Sequence, residues 1–211
     1  MKKRTIVSLL FVLFSVGVWA QSRPLSEEES QKVMTSLTQA AASMKTLQCR
    51  FVQEKISTML AEPTVAEGTM CFAAPDRLRW EYTTPYAFAL VVRGDRIMKV
   101  TDGKTEELDG TSGRIYQGIV NVIMGSASGK KLFDTSMFDI ALYDDNAYWR
   151  AEMIPKRRDM KRIFSQLVFL FDKKTNVISR VEFKESGGDL TSIRFMDIKL
   201  NGAINEKMFA D

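Results

Sequence analysis

The sequence has 211 residues, with 30 Lys and Arg against 26 Asp and Glu, no His, and a formal net charge of +4. The missing histidines remove the commonest zinc ligand and the base of Ser-His and Cys-His pairs, which argues against a hydrolase or a metalloenzyme. The nearly balanced charge does not favour nucleic-acid binding. The length suits one domain with its own core.

The first residues have the features of a secretory signal peptide. Basic residues at 2–4 precede an apolar run over 6–19, and small residues occupy the −3 and −1 positions of a cleavage after Ala20. The alternative is an uncleaved anchor, for which the run is short. We therefore expect residues 1–20 to be removed and a single domain over 21–211 to reach the periplasm.

The next element is an amphipathic helix. Ser26 followed by Glu29 is a capping-box signature, and apolar residues then recur at helical spacing as far as Leu47. The sequence therefore predicts a helix over 27–46.

Beyond the helix, the hydrophobic pattern changes to the alternation of β-strands. Short turns rich in Gly, Asn, Asp and Pro separate the strands, which is typical of an antiparallel meander. The fold class predicted is mainly β with α. The eleven predicted strands cover 48–57, 65–73, 77–83, 86–93, 96–101, 104–109, 137–143, 147–154, 164–172, 177–184 and 189–199.

Alternation also divides the strand residues between two faces. A sheet of this width tends to curl, so its inner face encloses either a packed core or a cavity. The pattern alone does not decide between these two possibilities. The candidates for the inner face are Leu78, Trp80, Tyr82, Tyr86, Phe88, Leu90, Val92, Phe138, Ile140, Leu142, Leu167, Phe169 and Phe171.

A second helix is predicted over 112–125, between the sixth and seventh predicted strands. Ile115, Ile119, Val122 and Ile123 form one apolar stripe along it, and glycines lie at both ends. Such a helix can act as a movable lid over the sheet, or it can be packed there permanently.

The two cysteines, Cys49 and Cys71, lie in the first two predicted strands. A hairpin centred near residue 60 would place them directly opposite each other, at a separation slightly wide for a disulfide. Export permits oxidation, so the pair is either a disulfide or two buried thiols.

The segment 156–162, with the sequence KRRDMKR, places five basic residues around one aspartate between two strands. It can contact anionic headgroups or an acidic partner. The alternative is a solvated hairpin tip.

Several of these residues together resemble a known family. Phe51-Val52-Gln53 follows the amphipathic helix, Gly68 opens a strand, and "APDRLRWEY", "TTP" and "VVRGDRIMKV" then follow over 73–100. This order and spacing is similar to that of the periplasmic LolA-type lipoprotein carriers. Where members of that family commonly have an arginine before the proline of the RW strand, this sequence has Ala74.

The resemblance implies an unclosed antiparallel half-barrel of about eleven strands, with helices forming a lid over an apolar cavity. It implies a monomeric carrier, without catalytic activity, cofactor or metal, that takes acylated lipoproteins or other lipids from an inner-membrane ABC-type release complex. The cargo would then pass to an outer-membrane acceptor that the sequence does not identify. In this interpretation the inner-face residues above line the cavity.

Two other classes of function stay open at this point. The same half-barrel can serve as a lipid-sensing or scaffold domain in envelope-stress signalling. An enzyme would need a polar cluster inside the cavity, and the strand pattern does not assemble one.

Overall fold

The computed structural model describes residues 22–108 and 133–210. Helix α1 spans Glu27–Ala42 and begins with the predicted capping box. The Ser26 hydroxyl accepts a hydrogen bond from the Glu29 backbone N–H at 3.3 Å, and the Glu29 carboxylate accepts one from the Ser26 N–H at 2.9 Å. The helix ends four residues earlier than the sequence predicted, because the chain turns at Ser43 to enter the sheet.

Twelve strands form one antiparallel sheet, as the alternating pattern predicted. Two short helices complete the described chain, a single turn over Arg158–Lys161 and a 3₁₀ turn over Glu206–Phe209. The strands are β1 (Arg23–Pro24), β2 (Thr46–Ile56), β3 (Thr64–Ala73), β4 (Arg77–Thr84), β5 (Phe88–Arg93), β6 (Arg96–Thr101), β7 (Lys104–Glu107), β8 (Phe138–Asp145), β9 (Tyr148–Pro155), β10 (Phe164–Asp172), β11 (Ile178–Glu185) and β12 (Leu190–Leu200).

The sheet is open, and its order is β1-β8-β9-β10-β11-β12-β2-β3-β4-β5-β6-β7. Strands β2 to β7 and β8 to β12 each form a meander, and the β2–β12 pair joins the two meanders. The eleven predicted strands are confirmed. Strand β1, which the sequence analysis did not predict, pairs only two residues with β8 and shows no alternation. The fold is therefore an unclosed half-barrel.

The concave face of the sheet holds the main hydrophobic core. Leu37 and Ala41 of α1 are buried against it, and Val33 and Met34 pack at its margin. The helix therefore covers the concave face at the end where β2 begins.

The convex face carries a second, smaller apolar cluster under the C-terminal tail. Phe209 is buried with Cys71 and Ala73, and its carbonyl oxygen accepts a hydrogen bond from Arg93 Nε at 2.5 Å. Arg77 forms an ion pair with Glu206 of the same tail. The tail therefore lies on the opposite side of the sheet from α1.

The predicted opposition of the cysteines is wrong. Cys49 pairs with Met70, and Cys71 pairs with Gln48, so the register is displaced by one residue from the predicted one. Because a displacement of one residue turns a side chain to the other face, Cys49 lies in the concave core and Cys71 on the convex side. Both are free, buried thiols, which is the second of the two alternatives that the sequence left open.

Two predictions lie outside the described residues. These are the signal peptide over 1–20 and the lid helix with Ile115, Ile119, Val122 and Ile123.

Candidate functional site

The concave face is filled at one end and hollow at the other. Beneath α1 the space between the helix and the sheet is about 30 Å³. At the end where β2 finishes, a cavity of about 510 Å³ opens between the two meanders. Its lining residues are Gln53, Lys55, Ala66, Leu78, Trp80, Tyr82, Thr84, Pro85, Tyr86, Phe88, Leu90, Ile163, Phe164, Phe183, Glu185, Thr191 and Ile193.

An aromatic group forms the wall of the cavity on the side of β4. Alternation along β4 directs Leu78, Trp80 and Tyr82 to the same face. The Tyr82 ring stacks on Phe88 with 4.6 Å between centroids, and the Trp80 ring lies 4.4 Å from that of Phe51. These contacts hold large apolar rings at the cavity surface without filling it.

A glycine in β3 makes room for this arrangement. A Cβ at Gly68 would lie 1.9 Å from the Glu81 carbonyl oxygen and 2.6 Å from Phe51 Cζ. Only a residue without a side chain allows the Phe51 ring to lie against β3 at this point. Phe51 in turn contacts both Trp80 and Tyr82, so Gly68 positions the aromatic wall.

Polar groups lie at the edge of the cavity and are paired. Tyr82 Oη donates a hydrogen bond to Gln53 Oε1 at 2.9 Å. Lys55 Nζ lies 2.9 Å from Glu185 Oε1 and 3.3 Å from Asp189 Oδ2. The hydrogen bond with Glu185 is the main cause of a raised pKa for Lys55, which therefore keeps its charge.

One polar atom in the wall is buried without a partner. Trp80 is 4% exposed, and its Nε1–H has no hydrogen-bond acceptor among the residues that the structure describes. An unsatisfied buried donor costs free energy, so this N–H is a locally unfavourable feature of the wall.

The structure brings six of the thirteen predicted cavity residues together at the cavity. These are Leu78, Trp80, Tyr82, Tyr86, Phe88 and Leu90. Tyr86 precedes β5 instead of lying within it and is 79% exposed at the open end, so its predicted position on an inner strand face is wrong.

The other seven predicted residues do not line this cavity. Ile140 is partly buried against the continuous core, and the remaining six are buried within it: Val92, Phe138, Leu142, Leu167, Phe169 and Phe171. They lie on the concave face as predicted, but at positions where the core is packed.

Sequence analysis missed the wall formed by β2, β11 and β12. Gln53 and Lys55 lie on the same face of β2 as Phe51, because alternate residues of a strand share a face. The periodicity of β2 could therefore have located them. They were overlooked because polar residues on an inner face were not expected. Phe183 and Ile193 follow the same alternation on β11 and β12.

Within 22–108 and 133–210, no group of three or more His, Cys, Asp or Glu residues is placed to hold a metal ion. No helix in these ranges combines the length and the apolar character needed to cross a membrane.

Comparison with known proteins gives a family match over most of the domain. The family model described as "Outer membrane lipoprotein carrier protein LolA" matches residues 42–210. An outer-membrane lipoprotein carrier protein of Methylobacillus flagellatus is 26% identical over 145 residues, which are 68% of this chain and 66% of that relative. One of the same name from Pseudoalteromonas translucida is 23% identical, over 96% of this chain and 89% of the relative.

The fold is also found among solved structures. The lipoprotein LppX of Mycobacterium tuberculosis matches with a TM-score of 0.51 and 12% identity, over 85% of this chain and 99% of that one. At this identity the similarity concerns the fold alone.

Proposed function

Because this chain belongs to the LolA family of outer membrane lipoprotein carrier proteins, we propose that it binds the acyl chains of lipoproteins in its cavity and carries them from the inner to the outer membrane. It would act in the periplasm, after removal of residues 1–20. The donor would be an ABC-type release complex of the inner membrane. The observation that carries the proposal is the 510 Å³ cavity at the open end of an otherwise packed concave face.

The size and lining of the cavity suit an acyl ligand. Its volume falls in the range of about 300–1,000 Å³ that is usual for ligand sites. Each buried CH₂ group gains about 0.8 kcal/mol, so an acylated protein does not cross water at a useful rate without an apolar carrier. Aromatic rings at Trp80, Tyr82 and Phe88 offer such a surface.

The charged groups at the cavity are already engaged by protein partners. The charged residues of the lining, Lys55 and Glu185, are bound to each other. This arrangement favours binding over catalysis.

Tryptophan fluorescence can test where the acyl chain binds. After loss of residues 1–20 the chain holds two tryptophans, Trp80 in the cavity wall and Trp149 on β9 outside the lining. The Trp149→Phe variant reports on Trp80 alone, and Trp80→Phe reports on Trp149 alone. A triacylated lipopeptide with brominated chains should quench Trp80 strongly and Trp149 weakly.

The same peptide without acyl chains is the control and should quench neither residue. Equal quenching of both tryptophans, or quenching by the unacylated peptide, would contradict the proposal. Mass spectrometry of material that copurifies from the periplasm then tells a lipoprotein from another lipid or a polyene.

A charge in the cavity wall should weaken binding. Trp80→Glu places a carboxylate among apolar groups, where it is strongly disfavoured or recruits water. We expect affinity for an apolar fluorescent probe to fall at least tenfold. Circular dichroism establishes that the variant is folded, and retained affinity in a folded variant would remove Trp80 from the site.

A further inference from the structure

Three connections meet at the open end of the half-barrel. They are the β2–β3 loop (57–63), the β9–β10 connection (156–163) and the β11–β12 turn (186–189), which together we call the mouth rim. All three adjoin strands whose last or first residues line the cavity, among them Lys55 and Glu185.

Hydrogen bonds join the three connections into one surface. The Asp189 carboxylate of the β11–β12 turn accepts a hydrogen bond from the Thr58 N–H at 2.9 Å. On the other side of that turn, the Ser186 N–H donates to the Ile163 carbonyl oxygen at 2.9 Å, and its hydroxyl donates to the Lys161 carbonyl oxygen at 2.7 Å. The central turn thus links the other two.

The β2–β3 loop presents large apolar side chains to solvent. Met59 is 91% exposed and Leu60 is 56% exposed, and Tyr86 at the other side of the cavity is 79% exposed. Single exposed apolar residues are common, but a group of them around the opening of an apolar cavity is characteristic of an interaction site.

The β9–β10 connection presents positive charge on the other side of the β11–β12 turn from Met59 and Leu60. Arg157 pairs with Asp159 and Lys156 with Asp139. Arg158, Lys161 and Arg162 are exposed, and the structure shows no ion pair for them among the residues it describes. Three positive charges are therefore available to an anionic partner.

We propose that the mouth rim docks on the surface of an anionic lipid bilayer. Met59 and Leu60 enter the interfacial layer, while Arg158, Lys161 and Arg162 contact lipid phosphates. An apolar anchor next to basic residues is the combination that holds proteins reversibly at such surfaces. An acidic protein would satisfy the charges but leave the apolar loop tip unexplained.

This inference rests on the proposed function, because it places the cavity opening at the surface where acyl chains leave or enter a membrane. It adds the membrane surface as the partner and gives the orientation of the half-barrel on that surface. The cavity opening faces the headgroups, while the α1 end of the half-barrel faces away.

Vesicle sedimentation tests the charged part of the surface. The protein should bind vesicles of phosphatidylglycerol and phosphatidylcholine more tightly than vesicles of phosphatidylcholine alone, and high salt should weaken binding by screening. Each basic residue near an anionic surface contributes about fivefold in partitioning. The triple variant Arg158→Glu/Lys161→Glu/Arg162→Glu removes three such charges and adds three negative ones, so binding should fall by at least about a hundredfold.

The matched control makes the same change of charge at the opposite end of the half-barrel. Lys45, Lys174 and Lys199 are exposed there, and Lys45→Glu/Lys174→Glu/Lys199→Glu should retain most of the binding. Equal losses in the two triple variants would mean that net charge alone acts, and would overturn the proposed surface.

Fluorescence and binding measurements test the apolar residues of the mouth rim, Met59 and Leu60. In Met59→Trp the new indole should shift its emission to the blue on addition of anionic vesicles, and Met59→Ser/Leu60→Ser should weaken binding several-fold. No shift, or binding to an acidic polypeptide but not to vesicles, would overturn the bilayer as the partner.

The two proposals fail separately in these experiments. The rim variants leave the cavity lining intact, so quenching of Trp80 by the brominated lipopeptide without vesicles should be unchanged. Vesicle binding without lipopeptide binding would reject the proposed function, and the reverse result would reject the docking surface.

Discussion

The two ends of the concave face are built from the same sheet but differ in what covers them. At the α1 end, Leu37 and Ala41 fill the curve of the sheet and leave about 30 Å³. At the mouth end, side chains of similar size line about 510 Å³. The difference teaches that curvature alone does not make a ligand site. A half-barrel becomes hollow where no described element packs against its inner face.

The largest expected effect is a difference in stability loss when a leucine is replaced by alanine at each end of the concave face. Leu37→Ala should lower the free energy of unfolding by about 2–5 kcal/mol, because it leaves a new void in a packed region. Leu90→Ala, in the cavity wall, should cost about 1–2 kcal/mol, because its removal enlarges a space that already exists. Urea unfolding measures both values.

The effects of the two substitutions on ligand binding should have the opposite order to their effects on stability. Leu90→Ala should alter the affinity for an apolar probe, whereas folded Leu37→Ala should not. Similar stability losses in the two variants would mean that the mouth end is packed as tightly as the α1 end, and the comparison would fail.

A smaller effect is expected at the glycine that supports the aromatic wall. Gly68→Ala should lower the free energy of unfolding by about 2–3 kcal/mol, since the new methyl group collides with the Glu81 carbonyl oxygen and the Phe51 ring. It should also displace Trp80 and change its emission. Gly187→Ala is the control, because a Cβ there meets nothing within 4 Å and should leave both unchanged.

The smallest expected effect is a pH dependence of stability, which tests whether water reaches the space beneath α1. Burial raises the pKa of Cys49 from 9.0 to about 12, so the folded protein keeps a neutral thiol where the unfolded chain ionises. Stability linked to this group is therefore complete below pH 9 and is lost between pH 9 and 12. At pH 10 the loss should be on the order of 1 kcal/mol relative to Cys49→Ala.

Unfolding curves at several pH values measure this difference. An equal pH dependence of the unaltered chain and Cys49→Ala would mean that water reaches the thiol, and that the space beneath α1 is larger than the structure shows.

The comparison also indicates what the sequence can and cannot predict. Alternation located every strand long enough to have a period, and the capping box located the start of α1. It missed β1, because two residues have no period. It placed Leu90 and Val92 on the same face, but only packing in three dimensions makes one a cavity residue and the other a core residue.

The cysteines show a second limit of prediction. The face of Cys71 depends on the register of the β2–β3 pair, and this register is set by the loop over 57–63. A change of one residue in the length of this loop would turn Cys71 to the other face of the sheet. The composition of the loop did not determine its length. The polar inner residues Gln53 and Lys55 had a visible period, but hydrophobicity was used to choose the inner face.

The pairing of β2 with β12 has a consequence for how the molecule is made. Phe51, near the beginning of the folded chain, pairs with Phe195, near its end. A chain that emerges with its N-terminus first, from a ribosome or a translocation channel, can form the meander β2–β7 early. The partner of β2 arrives last, so one edge of that meander stays unpaired until synthesis or export is almost complete. Pairing between such distant segments is slow, and an unpaired edge invites association with other chains. The half-completed protein is therefore the stage at which a holding chaperone would matter most.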